Sequence, residues 1–196
     1  MSTQKRPYEL RARAEQQAIT RQRIVAVTAE LHDELGPART TVAEIARRAG
    51  VQRLTVYNHF PDERGLYEAC GEHWMSQNPP PDPSDALELR DPAARLRAVL
   101  VPLYRWYRRT ARAQENMQRD RLVLPAFDAV MRIRVDQQMN QLGDALSAAV
   151  GVAPGVRAIV GLALNFWTWR TLSLGGLGDE DAAAVMVKAV SAAGDE

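Results

Sequence analysis

Residues 41–60, TVAEIARRAGVQRLTVYNHF, predict two short helices joined by a glycine turn. Thr41 is a suitable N-cap, and Glu44 three residues later completes the pattern of a capping box. Gly50 is expected to end the first helix, because glycine adopts the left-handed conformation of a tight turn without strain. Four apolar residues fall on one face of this helix: Val42, Ile45, Ala46 and Ala49.

The second half of this stretch mixes apolar side chains with hydrogen-bonding ones. The apolar residues are candidates for packing or anchoring: Val51, Leu54, Val56, Tyr57 and Phe60. The polar residues suit the major groove of DNA: Gln52, Arg53, Thr55, Asn58 and His59. A helix, a tight glycine turn and a second helix rich in hydrogen-bonding groups predict a helix-turn-helix.

The same stretch resembles the DNA-binding signature of TetR-type (TetR/AcrR-like) bacterial transcriptional regulators. That signature has a Thr that opens a helix, an Ile-Ala pair, an Ala-Gly-Val turn and a Tyr-x-His-Phe close. Here its members are Thr41, Ile45-Ala46, Ala49-Gly50-Val51 and Tyr57-Asn58-His59-Phe60. The sequence departs from the usual pattern in three ways. Gln52 replaces a Ser or Thr cap, Leu54 replaces a small residue, and Glu63 replaces a phosphate-binding Lys.

Two groups of residues are predicted to bind DNA. Base contacts are expected from residues whose side chains pair with base edges: Gln52, Arg53, Thr55 and Asn58. The resemblance implies phosphate contacts from Tyr57 and His59, with Thr41 joining them at a helix N-terminus. Arg64 follows Glu63 directly and is expected to replace the charge of the missing lysine.

The charge distribution supports nucleic-acid binding by the N-terminal part only. Residues 1–60 hold ten Lys or Arg against six acidic residues, whereas the other 136 residues hold 15 against 18. Basic side chains that neutralise phosphates supply sequence-independent affinity for DNA. The first 17 residues, with Lys5, Arg6, Arg11 and Arg13, are either a basic DNA-binding arm or a solvated tail.

Composition and helical spacing predict an all-α protein. No run with a period of two appears, and residues 77–91 contain the prolines that separate two parts. We expect a basic arm at 1–17, a three-helix DNA-binding head at 18–60, and a helical-bundle body at 61–196. The body is expected to begin with a fourth helix to about residue 76. After 92, further helices are interrupted by a turn within 111–121, and the last two span 154–174 and 179–193.

Several classes of protein are not favoured by the sequence. The motifs GxSxG, GxxxxGK[ST], GxGxxG and HExxH do not occur, so we predict no enzyme and no cofactor, with an all-helical cytosolic enzyme as the weaker alternative. Cys70 and His73 are interpreted as packing residues rather than metal ligands. The longest apolar stretch, 158–169, is too short to cross a bilayer, which favours a cytoplasmic protein.

Large soft side chains are concentrated in the body. They either fill a helical core or line an apolar cavity, whose polar groups would include Asn116 and Asp120. We predict a ligand site lined by Tyr104, Trp106, Tyr107, Met117, Phe127, Met131, Asn165, Phe166 and Trp169. The resemblance implies that this body senses a small molecule.

The last two expected helices predict a homodimer. Residues 156–174, VRAIVGLALNFWTWRTLSL, are apolar nearly all round, so a helix there must be covered on every side. One side is expected to face the core and the other a second subunit, although a monomer with this helix at its centre is the alternative. The function expected is a dimeric repressor that a largely apolar ligand releases from a palindromic operator. A constitutive DNA-binding protein is the alternative.

Overall fold

The computed structural model describes the backbone of residues 5–151 and 154–194 and the side chains of 11–151 and 155–194. No strand occurs among these residues, so the all-α prediction is confirmed. A single 3₁₀ turn, Pro37–Arg39, precedes the second helix. The α-helices in chain order are α1 Lys5–Glu34, α2 Val42–Ala49, α3 Arg53–His59, α4 Glu63–Gln77, α5 Ser84–Leu87, α6 Pro92–Asp120, α7 Pro125–Met131, α8 Gln137–Val150, α9 Pro154–Leu164, α10 Phe166–Leu174 and α11 Asp179–Gly194.

The described residues pack as two compact units. Unit 1 contains the residues up to 78 together with 115–130, and unit 2 contains 79–114 and the residues from 131 onward. In packing terms α4 and the end of α6 therefore group with the helix-turn-helix. The assignment of DNA binding to residues 18–60 and of regulation to residues 61–196 stays a prediction.

Unit 1 is built on a core shared by α1, α2, α3 and α4. Fully or nearly fully buried apolar side chains from all four helices meet there: Ile24, Val25, Ala29, Leu31, Ile45, Ala46, Ala49, Val56, Phe60, Leu66 and Cys70. Val42, Val51 and Trp74 pack against this cluster with part of their surface exposed. Burial of these side chains fixes the two short helices, which are too short to be stable alone.

Two helices are longer than the sequence pattern indicates. The helix α1 begins at Lys5, so residues 5–17 of the expected arm are helical, and residues 1–4 lie outside the described residues. The polar stretch 111–120 continues α6 without the expected turn. Both segments consist largely of Ala, Arg, Gln and Glu, which have high helix propensity even where no apolar stripe is present.

Two other expected helices are interrupted. The helix expected after Phe127 contains a π-helical segment, Arg132–Asp136, between α7 and α8. The helix expected at 154–174 breaks at Asn165, whose backbone is extended and whose Oδ1 accepts a hydrogen bond from the Trp167 N–H at 2.8 Å. Asn165 is therefore the N-cap of α10, a local preference that overrides the apolar pattern around it.

The break at Asn165 also explains two buried tyrosines of α6. The hydroxyl groups of Tyr104 and Tyr107 donate to the carbonyl oxygens of Ala163 and Leu164, both at 2.7 Å. These carbonyls belong to the last turn of α9, where carbonyl groups have no partner within the helix. Burial raises the pKa of both tyrosines well above the ordinary value, so both phenols keep the proton that they donate.

Candidate nucleic-acid interface

Backbone geometry and one side-chain cap define α2 and the turn that follows it. The Thr41 hydroxyl accepts a hydrogen bond from the Glu44 N–H at 3.2 Å, as the capping pattern predicts. Gly50 has φ 63° and ψ 40°, the left-handed conformation. The Gly50 N–H donates to Arg47 O at 3.3 Å and the Val51 N–H to Ala46 O at 3.0 Å, which together form a Schellman motif. The predicted glycine turn is confirmed.

The helix α3 has one buried face and one exposed face. Val56 and the following Phe60 are buried and hold the helix on the core. The exposed side chains are Gln52, Arg53, Leu54, Tyr57 and Asn58, with Thr55 and His59 half-buried. Of the five candidates for packing or anchoring, Leu54 and Tyr57 do not pack in the core, because 65% and 53% of their surfaces are exposed. Most of the predicted DNA-contacting residues of this stretch thus share one accessible face.

Ion pairs tie down several charges around α2. Glu44 accepts hydrogen bonds from Arg47 at 2.7 Å and from Arg48 at 3.0 Å, and these bonds hold its pKa well below the usual range, at about 2. Arg48 also pairs with Glu34 at 2.8 Å. The Glu44 side chain therefore binds these two arginines and not the N-cap backbone that a full capping box would use.

The remaining predicted DNA contacts lie at the surface. Thr41 is exposed, and its hydroxyl oxygen is engaged in the cap. Arg64 at the start of α4 is exposed and pairs with Glu68 at 2.9 Å. Exposed ion pairs are weak, so this contact leaves Arg64 able to bind a phosphate. Arg53 makes no ion pair in the part of the chain that the structure describes. Its guanidinium is thus the accessible cation on α3.

A buried carboxylate that the sequence analysis assigned to a ligand cavity supports the loop before α2 instead. Asp120, at the end of α6, is 2% exposed, and its Oδ2 accepts a hydrogen bond from the Ala38 N–H at 2.9 Å. Its Oδ1 accepts one from the Arg119 Nε at 2.6 Å. Gly36 lies so close that a Cβ atom there would be 2.2 Å from Asp120 Oδ2. Asp120 therefore holds the loop before α2 through its hydrogen bond to the Ala38 N–H.

Two neighbours of Asp120 bind the end of α1. Asn116 Nδ2 donates to the Asp33 carbonyl at 2.9 Å, and Arg119 Nη2 donates to the Leu35 carbonyl at 3.1 Å. These carbonyls lie at the C-terminal end of α1 and directly after it, where a helix leaves such groups without internal partners. Asn116 and Asp120 were expected among the polar groups of a ligand cavity, whereas each of them bonds a backbone group of unit 1 and the Arg119 side chain. We call residues 116, 119 and 120 the α6 latch.

A histidine and a cysteine meet inside unit 1. His32 Nδ1 lies 3.4 Å from Cys70 Sγ, and both residues are buried. Burial raises the pKa of Cys70 to about 12, so the thiol keeps its proton. No group of three or more His, Cys, Asp or Glu suited to a metal occurs among the described residues. Cys70 and His32 contribute to the packed core.

The burial of His32 predicts loss of stability in acid. Burial lowers the pKa of His32 from 6.5 to about 4, with the charge of Asp120 opposing part of this effect. The unfolded chain takes up a proton near pH 6.5 and the folded chain only near pH 4. The stabilisation is therefore complete above pH 6.5 and is lost as the pH falls toward 4. We expect this loss to reduce the free energy of unfolding by about 3 kcal/mol between pH 6.5 and pH 4.

Urea unfolding between pH 7.5 and pH 4 measures this effect in three proteins. The His32→Gln variant should lack this share of the pH dependence, because glutamine does not titrate. The His73→Gln variant changes a histidine on α4 that is only half-buried, and it should keep the wild-type dependence. A slope in His32→Gln equal to that of the wild type would contradict the assignment.

The nine predicted ligand residues are divided between the two units. Met117 and Phe127 belong to unit 1, where the Phe127 ring packs edge-on against Tyr67 with centroids 5.3 Å apart. The other seven belong to unit 2. Six of them are buried: Tyr104, Trp106, Tyr107, Met131, Phe166 and Trp169. Asn165 is exposed and caps α10.

The aromatic members in unit 2 form one cluster centred on Tyr107. Its ring centroid lies 5.4 Å from Phe166, 5.5 Å from Trp106 and 5.8 Å from Trp169. A separate open groove of about 550 Å³ lies along α1 in unit 1, with Arg21 and Arg23 on its wall and His73 from α4 at its edge. None of the nine predicted residues lines that groove.

A left-handed glycine turn between α2 and α3, with a polar exposed face on α3, defines a helix-turn-helix protein. Residues 24–70 match the family model described as bacterial regulatory proteins, tetR family. Residues 24–70 therefore form a tetR-type DNA-binding domain, and the resemblance noted from the sequence is confirmed for this domain.

The chain is also similar to bacterial transcriptional regulators over part of its length. The HTH-type transcriptional regulator BetI of Serratia proteamaculans is 34% identical over 92 residues, which cover 43% of this chain and 44% of that protein. The BetI of Ectopseudomonas mendocina is 41% identical over 59 residues, or 30% of each chain. These matches thus span less than half the length of either relative.

Most of the chain is similar to a solved structure. The crystal structure of a transcriptional regulator from Rhodococcus sp. Rha1 matches 87% of this chain and 95% of its own, with a TM-score of 0.59 and 20% identity. That identity supports a common fold and nothing finer. No helix among the described residues has the length and apolar character needed to cross a membrane.

Proposed function

We propose that this protein is a sequence-specific DNA-binding transcriptional regulator whose α3 enters the major groove. The observation that carries the proposal is the exposed face of α3, where Gln52, Arg53 and Asn58 stand together above the buried Val56. Amide and guanidinium groups pair bidentately with adenine and guanine edges. The tetR-family match to residues 24–70 and the similarity to BetI, an HTH-type transcriptional regulator, favour the same role.

Selection of bound sequences from random DNA, at a stated salt concentration, tests this function. We expect a palindromic consensus. The Arg53→Ala variant should lose on the order of 1–3 kcal/mol of binding free energy and relax the preference at one base pair of each half-site. The control is Arg109→Ala, which removes an exposed arginine of α6 in unit 2 and should leave the consensus unchanged.

Three other outcomes have distinct meanings. An equal loss on every sequence in Arg53→Ala would assign Arg53 to phosphate. Weak binding without preference would favour the alternative of a constitutive architectural DNA-binding protein. Absence of DNA binding would leave the all-helical enzyme.

The regulator is proposed to act as a homodimer through its last helices. Four large apolar side chains of α9, α10 and α11 are exposed on the single chain: Leu162, Trp167, Leu174 and Val185. Ala158 and Gly161 extend the exposed apolar strip of α9 beside Leu162 and permit close approach of a second backbone. Exposed apolar surface of this kind favours a protein partner. Light scattering that returns a monomer at micromolar concentration would reject this arrangement.

Two-fold symmetry sets the geometry of the operator. Two copies of α3 would enter successive major grooves, roughly 34–36 Å apart, so the half-sites of the consensus should repeat at about one helical turn. Whether the dimer represses or activates depends on where the operator lies relative to a promoter.

We propose further that a small, largely apolar ligand binds the body and releases the protein from DNA. Support comes from the family and from the aromatic cluster around Tyr107, whose side chains have the character of an apolar binding site. A coupling free energy of about 1–3 kcal/mol would lower operator affinity roughly 5- to 150-fold, and DNA would weaken ligand binding equally. Paired titrations of a library of aromatic compounds, followed by tryptophan fluorescence with and without operator, measure this coupling. Equal affinities in both would favour the alternative that these aromatic residues are core.

A further inference from the structure

Leu54 is an apolar side chain on the face of α3 that is otherwise polar. It is 65% exposed, whereas Val56 two residues later is 1% exposed. It is also absent from the apolar cluster that forms the core of unit 1. Packing within unit 1 thus does not account for a leucine at this position.

The position of Leu54 on α3 places it among the groups proposed to contact bases. Leu54 is the second residue of α3, and the N-terminal residues of a recognition helix are those that reach base edges. Tyr57 and Asn58 follow three and four residues later, so they are its neighbours on the helix surface. All three side chains are exposed.

The floor of the major groove offers one apolar group, the C5 methyl of thymine. At any other position in the groove a leucine would be in contact with polar base edges. That contact would be unfavourable, because the leucine side chain has no hydrogen-bonding atom. We propose that Leu54 determines specificity by packing against the methyl group of one thymine in each half-site. This inference rests on the proposed DNA-binding function and assigns a base preference to a residue outside the hydrogen-bonding set.

Replacement of thymine by deoxyuracil tests the contact directly. Deoxyuracil lacks the methyl group and keeps the pairing edge and the O4 acceptor. Each thymine of the selected operator is replaced in turn, symmetrically in both half-sites, and affinity is measured by fluorescence anisotropy with the full-length protein. We expect one position at which the change weakens binding about fourfold for each half-site, the value for loss of one buried methyl-sized group.

Two variants assign that sensitivity to Leu54. The Leu54→Ala variant should bind the thymine and deoxyuracil operators with equal affinity, while circular dichroism reports wild-type folding because the removed atoms are exposed. The matched control is Leu122→Ala, which truncates another leucine of unit 1, 83% exposed in the turn after α6. It should retain the full difference between the two operators.

The outcomes separate this inference from the function on which it rests. If a consensus is selected but no thymine position is sensitive, or if Leu54→Ala stays as sensitive as the wild type, the thymine contact is wrong and the DNA-binding function stands. If no sequence preference is found, both are wrong.

Discussion

The Gly36→Ala variant is expected to have a free energy of unfolding about 4 kcal/mol or more below that of the wild type, because backbone strain and overpacking act at the same residue. Gly36 has φ 91° and ψ 157°, a backbone conformation that residues with a Cβ atom rarely adopt. Its Cβ would also lie 2.2 Å from Asp120 Oδ2 and 2.4 Å from Arg119 Nη2. Relief of that overlap requires the α6 latch to give up its hydrogen bonds to the loop.

Two other glycines are matched controls for this substitution. Gly50 also has a positive φ, 63°, but nothing lies within 4 Å of its Cβ position, so Gly50→Ala should cost about 1 kcal/mol from strain alone. Gly71 lies within α4 with open space around it, and Gly71→Ala should stabilise by about 0.5–1 kcal/mol through helix propensity.

Urea unfolding of the full-length variants, followed by circular dichroism, gives the three values. The expected order of stability is Gly71→Ala, wild type, Gly50→Ala and Gly36→Ala. A Gly36→Ala protein no less stable than Gly50→Ala would show that the latch yields easily. The latch would then be no constraint on the loop that leads into α2.

Features of unit 1 that depend on neighbours in the sequence could be predicted. The Thr41 cap, the Gly50 turn and the start of α4 after Asp62 involve groups no more than five residues apart. Side chains this close are brought together by the local backbone whatever the rest of the chain does. The helix-turn-helix was therefore predictable from 20 residues.

Features that depend on distant partners could not be predicted. The bond between Asp120 and the Ala38 N–H joins residues 82 positions apart, and the bonds of Tyr104 and Tyr107 to the end of α9 span 59 and 57 positions. Spacing on α6 indicated only that these side chains were large or polar. Exposure of Leu54 was likewise hidden, because a seven-residue helix has too few positions to fix which face is buried.

The second large effect is expected for Trp169, the centre of packing between α6, α10 and α11 in unit 2. Trp169 is 1% exposed, and its Nε1 donates to Asp179 Oδ1 at 3.0 Å. Arg108 of α6 pairs with the same carboxylate at 2.9 Å and lies over the indole ring at 5.7 Å. Trp169→Ala leaves a cavity and removes a donor to a buried carboxylate, so we expect a loss of about 3–5 kcal/mol in unfolding free energy.

The neighbouring Trp167 provides the control, because it has the same chemistry and is 46% exposed on the single chain. Within one subunit Trp167→Ala should cost less than about 1 kcal/mol. If Trp167 lies in the proposed dimer interface, its loss appears as a weaker dimer, so the thermal midpoint falls most at low protein concentration. Trp169→Ala should instead lower the midpoint by a similar amount at every concentration.

Thermal unfolding at several protein concentrations therefore separates the two tryptophans. A concentration-dependent deficit in Trp169→Ala would place this indole at the subunit interface and contradict its role in the core. A small fall in the thermal midpoint of Trp169→Ala, equal at every concentration, would show that neighbouring side chains fill the space of the missing ring. The cluster would then be loosely packed, which is the property that a ligand cavity at Trp169 requires. The expected loss of about 3–5 kcal/mol would identify Trp169 itself as a core residue, and the ligand proposed for the body would then contact other members of the cluster.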